Sequence, residues 1–532
     1  MNDSKKDVVT GGEALARALA EHGVDTVFGI PGTHNLPIYR HLPAYGMRHV
    51  GMRHEQGAGY AADGYARLTG RPGVCLVTSG PATLNAAAAI GQAYSDSVPV
   101  LLLSPGMPLR NPGRGRGVLH ETKDQRAAMD AIAAYSHRVT SVAEIPVAVA
   151  QAFAAMTSGR PRPVHIEVPL DVLEELDAAP PVGPLGIATP TPRDADLDAA
   201  ARRLAAARRP VILAGGGARG ASRELRAVAE RLGAPVATTA NGKGVLWDNH
   251  PLALGAGLHL RAVADLVEQA DAVLVVGSEL APSDLWNGPL PLEGRLVRID
   301  VDPAQIVTNA APEIAIVGDA ALALRGLFDR LDPRDEAQDC GEWRRRKRAE
   351  SRAEGRAWLE IVDALASALP RDAVVAADSA MVCYYGALAN LPAYRPGAFL
   401  YPTGYGTLGY GLPAAVGAKI GSPDTPVLAL LGDGGVMFTV AELAAAASLG
   451  LPLPVVVVDN GGYGEIRDEM VGRGDPVQAV ELPSPDFAAL AEALGCRGVR
   501  TTAGKLADAV TDAFAADRPT LIHVPTMNLE VR

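Results

Sequence analysis

Short apolar runs recur along this chain, and each is followed by an Ala-rich amphipathic segment. The runs are GVCLVTSG (73–80), VPVLLLS (98–104), RPVILAGGG (209–217), ADAVLVVGS (270–278), RLVRIDVD (295–302), DAVVAAD (372–378), TPVLALLGDGG (425–435), LPVVVVDN (453–460) and RPTLIHVP (518–525). They are continuously apolar rather than alternating, so both faces of each strand must be covered. That pattern belongs to parallel sheets built from βα units with helices on either side. The predicted class is therefore α/β, with doubly wound parallel sheets.

At 532 residues the chain is too long for one core. Two zones break the βα rhythm: the Pro-rich stretch 178–193 and the dense charge run 332–356. The second reads as a solvated helix or linker. Cutting there predicts three domains, at 1–180, 190–335 and 356–532. A faint repeat links the outer two. Helix, strand, helix and strand recur in order, with Ser79 matching Asp433 and Ser104 matching Asp459 at a nearly constant offset of about 355 residues. Two domains of one topology flanking a third suggest duplication.

The bulk properties exclude several functions. A net charge of −11 argues against a surface that neutralises nucleic-acid phosphates, and Arg114 and Arg116 make only a local basic spot. Cys75, Cys340, Cys383 and Cys496 are far apart, which fits neither a disulfide framework nor a zinc site and predicts buried reduced thiols. No apolar run is long enough to span a membrane, and the N-terminus lacks the apolar core of a secretory signal. The expected location is a reducing cytoplasm.

The most informative stretch is LLGDGGVMFTVAELAAAASLGLPLPVVVVDNGGYG (430–464). Two apolar strands, one helix apart, both stop at Gly with Asp or Asn. Ligands of parallel sheets sit at the carboxyl ends of strands. Gly432, Gly434 and Gly435 allow close backbone approach, and the following helix offers free N–H groups to a phosphate. Asp433, Asn460 and a carbonyl from the Gly461-Gly462 turn supply three oxygens. Mg²⁺ favours such a set, with phosphate and water completing the shell. The residues thus describe a Mg²⁺–diphosphate site.

This stretch resembles the diphosphate-binding motif of thiamine diphosphate (ThDP) enzymes of the acetolactate synthase and 2-oxo acid decarboxylase superfamily. That motif opens with GDG and closes with paired Asn; here Asp459 replaces the first Asn. The resemblance implies a pyrimidine-binding, a central and a diphosphate-binding domain, with Asp433, Asn460 and the Gly462 carbonyl on Mg²⁺. MRHEQGAGYAADGYARLTG (52–70) is similar to the family's segment carrying the catalytic glutamate, which falls on Glu55. Asn85 matches a cofactor-site Asn. In YPTGYGTLGYGLPAAVGAKIG (401–421), Leu408 takes the place of the residue that wedges the coenzyme, and the Gly406 carbonyl faces its amino group. Pro31, Thr78, Gly432, Gly434, Gly435 and Tyr463 complete the expected cofactor contacts. The cofactor acts as the electron sink for decarboxylation of a 2-oxo acid. Because the family builds each site from two subunits, a homodimer is the expected minimal unit, assembled as a homotetramer.

The branch of the family is set by departures. Acetolactate synthases carry Phe-Gln-Glu where this chain has Leu119-His120-Glu121, and a different segment from DSAMVCYYG (378–386). The loop 113–127 and the GYGEIRDEM helix (462–470) look more like 5-guanidino-2-oxopentanoate (2-ketoarginine) decarboxylases. A guanidinium substrate calls for a carboxylate, and Glu465 is the candidate, with Asp468 and Glu469 behind it. Gln125 is assigned to the substrate and His120 to proton transfer or the substrate carboxylate. Acetolactate synthesis is the alternative. A non-catalytic scaffold would lack Glu55, Asp433 or Asn460. The central domain fits G-x-G-x-x-G at Gly215, Gly217 and Gly220, but no acidic residue ends the next strand, which disfavours a NAD dehydrogenase. The resemblance leaves FAD or another nucleotide open there.

Overall fold

The computed structural model describes residues 8–111, 115–334 and 337–526. The chain divides into two compact units: residues 1–188, 413–423 and 439–449, and residues 189–412, 424–438 and 450–532.

The first unit opens with a two-stranded antiparallel ribbon in which β1 (Val8–Thr10) pairs with β8 (Leu176–Ala178). Between them lies a six-stranded parallel sheet made of β2 (Thr26–Gly29), β3 (Arg48–Gly51), β4 (Gly73–Leu76), β5 (Val100–Gly106), β6 (Ser136–Arg138) and β7 (Val164–Pro169). Its order is β3-β2-β4-β5-β7-β6. Every residue of β4, β5 and β7 is buried, including Ser104, His165 and Glu167. The helix Glu55–Thr69 starts where the His54 side chain accepts from Gln56 N–H and stops at Gly70, whose φ of +71° terminates it in the left-handed region. Gly64 of this helix has no room for a Cβ because the Ala414 carbonyl lies against it, and Gly417 meets the Ala61 carbonyl in the same way. The helices Glu55–Thr69 and Gly411–Gly421 thus cross at backbone contact.

In the second unit the central sheet consists of β9 (Pro210–Ala214), β10 (Val236–Thr238), β11 (Ala253–Ala256), β12 (Ala272–Val276), β13 (Leu296–Asp300) and β14 (Ile314–Val317), ordered β11-β10-β9-β12-β13-β14. A second sheet consists of β15 (Val374–Ala377), β16 (Phe399–Leu400), β17 (Val427–Gly432), β18 (Pro454–Asp459), β19 (Arg497–Arg500) and β20 (Thr520–Pro525). Its order, β16-β15-β17-β18-β20-β19, repeats that of the sheet in the first unit strand for strand. The three parallel sheets and the repeated topology bear out the α/β reading.

Two expectations need correction. The helix of TVAELAAAASLG runs Glu442–Ser448 as expected, but the backbone just after Gly432 forms a separate single turn, Asp433–Val436, so that helix does not itself begin at the glycines. Two consecutive glycines favour helix too weakly to carry it on. The charge run is not uniformly solvated. It forms the helix Gly341–Glu354, on which Lys347 and Ser351 are buried, and Lys347 Nζ donates to the Ala389 carbonyl at 2.9 Å. Four buried free thiols match expectation, and among the described residues no helix is long and apolar enough to cross a membrane.

Candidate active site

The GDG and DNGG turns meet because β17 and β18 are parallel neighbours in register, with Leu431 opposite Val457 and Gly432 opposite Val458. Asp433 is buried, 4 % exposed. Burial, followed by the nearby Asp459 charge, pushes its carboxyl up to about 6. A bound cation reverses that penalty. The Asn460 amide reaches Asp433 Oδ1 and the Gly462 carbonyl oxygen, each 3.1 Å away. Its nitrogen can hydrogen-bond both, or its oxygen can complete a triangle of three oxygens. Cis ligands of an octahedron with bonds of 2.0–2.1 Å lie about 3 Å apart, so these two separations have the length of edges of a Mg²⁺ coordination shell. Gly462 holds a φ of +126° there. The Tyr463 ring fills the space beside Gly434, and a Cβ at Gly435 would press on the Asp378 carboxylate.

Asp459, the departure from paired Asn, points away from this triangle. Its Oδ2 lies 2.9 Å from His523 Nε2, and its Oδ1 accepts from Ser484 Oγ and Gly461 N–H. Burial alone would raise this carboxyl, but those bonds hold it below the usual range.

A cavity of about 280 Å³ opens beside the turns, lined by Asp433, Asn460, Tyr463, Gly406, Leu408 and Glu465 among others. Glu465 sits in the first turn of the helix Gly464–Arg473. Tyr385 donates to its Oε1 at 2.9 Å and Tyr384 to its Oε2 at 3.1 Å. Both tyrosines lie on a π-helical turn, Val382–Ala387, a rare element enriched at functional sites. Burial first, then the Glu465 charge or its hydrogen bond, pushes both phenols above their ordinary value, so they stay donors. Asp468 and Glu469 do not join the cavity lining; they pair with Arg467 and Arg473 on the helix surface. Asp378 is fully buried and accepts from Ser379 N–H and Gly409 N–H, which fixes the loop carrying Gly406 and Leu408.

The first unit holds the remaining candidates. Asn85 Nδ2 donates to Glu55 Oε2 at 2.9 Å, so the two expected pyrimidine-site residues are paired. Behind them the Glu442 carboxylate accepts from Arg53 N–H and His54 N–H, each at 3.0 Å, just before the helix Glu55–Thr69. Glu442 is fully buried, and Gly57 makes room for it. Burial pushes its carboxyl up to about 7. Thr78 Oγ1 is buried without a partner, while Pro31 is exposed.

His120 occupies the left-handed region at φ +64°, uncommon for a side chain of its size. Its Nδ1 lies 3.3 Å from Ser79 Oγ, which is 2.6 Å from His34 Nδ1. Gln125 is engaged on protein atoms: its Oε1 accepts from Gly80 N–H, and its Nε2 donates to Ser104 Oγ and the Pro105 carbonyl. Arg114 lies outside the described residues. The adjoining loop is tied by the Glu121 carboxylate, which accepts from Gly115, Gly117 and Val118 N–H. In the central sheet Gly215 N–H and Gly217 N–H are donated to the Val276 and Gly277 carbonyls. Those two groups of the G-x-G-x-x-G run therefore already have protein partners.

Sequence reasoning missed His34, Asp378, Glu442 and the tyrosine pair. Asp378 and the tyrosines left a signal, since they sit inside the DSAMVCYYG departure.

Comparison with known proteins covers most of the chain. Residues 9–128 match the thiamine pyrophosphate enzyme N-terminal TPP binding domain, residues 197–327 the central domain and residues 380–524 the C-terminal TPP binding domain. A probable 2-ketoarginine decarboxylase of Pseudomonas aeruginosa is 47% identical over 502 residues, spanning 92% of this chain and 89% of that protein. The acetolactate synthase large subunit of Parasynechococcus marenigrum is 35% identical over 97% of this chain and 87% of its own. A probable acetolactate synthase large subunit of Methanocaldococcus jannaschii is 33% identical over 97% and 91%.

Proposed function

The chain belongs to the thiamine pyrophosphate enzyme family, and we propose that it catalyses the non-oxidative decarboxylation of 5-guanidino-2-oxopentanoate to 4-guanidinobutanal and CO₂. The observation that carries this reading is the Glu465 carboxylate, presented to the cavity with one tyrosine hydroxyl on each oxygen. Each oxygen keeps a lone pair for a second donor, and a guanidinium matches two parallel acceptors. Pyruvate has no group to meet this carboxylate.

The residues fit ThDP with Mg²⁺. Asp433, Asn460 and the Gly462 carbonyl would hold the cation, Gly432, Gly434, Gly435 and Tyr463 the diphosphate, and Leu408 and Gly406 the middle of the coenzyme. Glu55, oriented by Asn85, would bond the aminopyrimidine, with Pro31 and Thr78 beside it. The bound group supplies the electron sink for the pair released when the C1–C2 bond breaks. The chain's residues bind and orient the acid, exclude water, and return one proton to the former C2, which gives the aldehyde. His120 belongs to that last step. Gln125 acts here by holding Gly80 rather than by touching substrate.

A homodimer, assembled further into a tetramer, is the proposed working form, because members of this family complete each cofactor site with two subunits. The four buried thiols fit a reducing cytoplasm. The test is CO₂ release, with ThDP and Mg²⁺, from pyruvate, 2-oxoisovalerate, benzoylformate and the guanidino acid, with product identification. Preference for the guanidino acid and formation of its aldehyde support the reading. Preference for pyruvate with acetolactate as product would replace it with acetolactate synthesis.

A further inference from the structure

We propose that His34, Ser79 and His120 form a proton relay that serves the final protonation of the product, so that His34 acts on the reaction through Ser79. The inference rests on the decarboxylase reading above, and its observations are geometric. Ser79 is fully buried and stands at the carboxyl end of β4. Its Oγ lies between two imidazoles, 2.6 Å from His34 Nδ1 and 3.3 Å from His120 Nδ1. The rings face each other edge to face, with centroids 5.0 Å apart.

A serine hydroxyl has one proton and can accept another hydrogen bond. It therefore donates to one Nδ1 while accepting from the N–H of the other ring. When His120 gives up a proton to the reacting carbon, Ser79 can pass its own to His120 and take one from His34. One proton moves from ring to ring and the serine is left neutral, while His34, half-buried, recovers its proton from solvent. Burial, then the His120 charge, lowers His34 from its ordinary value.

The backbone is shaped for this contact. His120 holds a strained left-handed conformation, and a Cβ at Gly80 would strike its carbonyl and its Cβ. Gln125 fixes Gly80 from the other side. His120 lines a cavity separate from that of Glu465, and the charged groups sharing it are Lys123, Asp124, Arg126, Arg138 and Glu167, with Glu121 next to His120 in sequence.

The test uses the full-length enzyme. In the cofactor-free protein with ¹³Cε1-labelled histidine, NMR titrations of the wild type, His34→Gln, His120→Gln and Ser79→Ala report the pair directly. The expected result is two coupled midpoints for His34 and His120 that both move in Ser79→Ala. With ThDP and Mg²⁺, Ser79→Ala and His34→Ala are expected to lower kcat by about 10²-fold. KM and the ThDP Kd should stay unchanged, the pH profile should lose one limb, and added imidazole should partly rescue His34→Ala. Wild-type kcat in Ser79→Ala would overturn the relay, as would a loss that is equal at every pH and not rescued. If the wild type releases CO₂ from no 2-oxo acid, the functional reading fails by itself. The titrations then decide the relay, and unmoved midpoints in Ser79→Ala overturn it.

Discussion

The sheets β2–β7 and β15–β20 share one strand order but carry different chemistry at equivalent places. In each, a buried histidine stands on the fifth strand across: His165 opposite Leu102, and His523 opposite Val457. His165 contacts two hydroxyls, Ser104 Oγ at 2.8 Å and Ser136 Oγ at 2.7 Å, and burial pushes it down to about 3. It is a neutral, satisfied strut. His523 instead meets the Asp459 carboxylate, and its Nδ1 is buried without a partner. Likewise, the strand that ends at Gly432-Asp433-Gly434 in one sheet ends near Thr78-Ser79-Gly80 in the other. The turns of one sheet bring together Asp433, Asn460 and the Gly462 carbonyl; those of the other bring together the Ser79 hydroxyl and the His34 and His120 imidazoles. The two sheets share a scaffold, and the difference between them lies in the few residues just past the strand ends.

That contrast can be broken at Asp433. Asp433→Ala should abolish measurable Mg²⁺-dependent ThDP binding by calorimetry and reduce activity by about 10³-fold or more. Retained affinity would show that the GDG end is not the cation end. A smaller but still large effect is expected in the other sheet. Glu55→Gln should lower kcat by about 10²–10⁴-fold while ThDP and Mg²⁺ still bind, since it removes a proton-handling group and not a ligand. Near-normal turnover would mean that the pyrimidine half lies elsewhere.

The remaining predictions concern stability. Arg67 bridges Asp63 at 2.6 Å and Asp96 at 2.8 Å with all three side chains buried. Removing one member of such a group strands buried charge, so Arg67→Ala should cost about 3–5 kcal/mol, read from chemical denaturation of the first unit. A cost under 1 kcal/mol would show that the ions are not load-carrying partners. The smallest effect is the pH dependence from Glu442. Its folded carboxyl titrates at about 7 against an ordinary 4.5. Between those values the unfolded chain has lost the proton that the fold keeps, so stability falls as pH rises through that window and levels off above it. The slope contributes on the order of 3 kcal/mol in total. Glu442→Gln should flatten melting temperature against pH from 5 to 7; an unchanged slope would remove Glu442 as its source.

The strands, the repeat and the meeting of the two glycine-rich turns were legible because their signals are local. Apolar runs, glycines and Asp433 or Asn460 declare themselves within a few residues. The unread parts depend on segments distant in sequence. Glu442 caps a helix that starts at Glu55, nearly four hundred residues earlier in the chain. His34 meets Ser79 and His120 from far away in the chain, and Tyr384 and Tyr385 reach Glu465 across some eighty residues. The partners of Gln125 were unread for the same reason, because the Gly80 N–H that it accepts from lies far away in sequence. The separate turn Asp433–Val436 was missed because the local helical signal lies in the alanines of 444–447.

The central claim is that Glu465 selects a cationic 2-oxo acid. Its most direct test is the ratio of kcat/KM for 5-guanidino-2-oxopentanoate to that for pyruvate, in the wild type and in Glu465→Gln with ThDP and Mg²⁺ saturating. A buried charge-assisted pair is worth about 1.5–3 kcal/mol, so the variant should lose about 10–10²-fold of that ratio, chiefly through KM for the guanidino acid. An unchanged ratio, or a wild type that prefers pyruvate, would contradict the account.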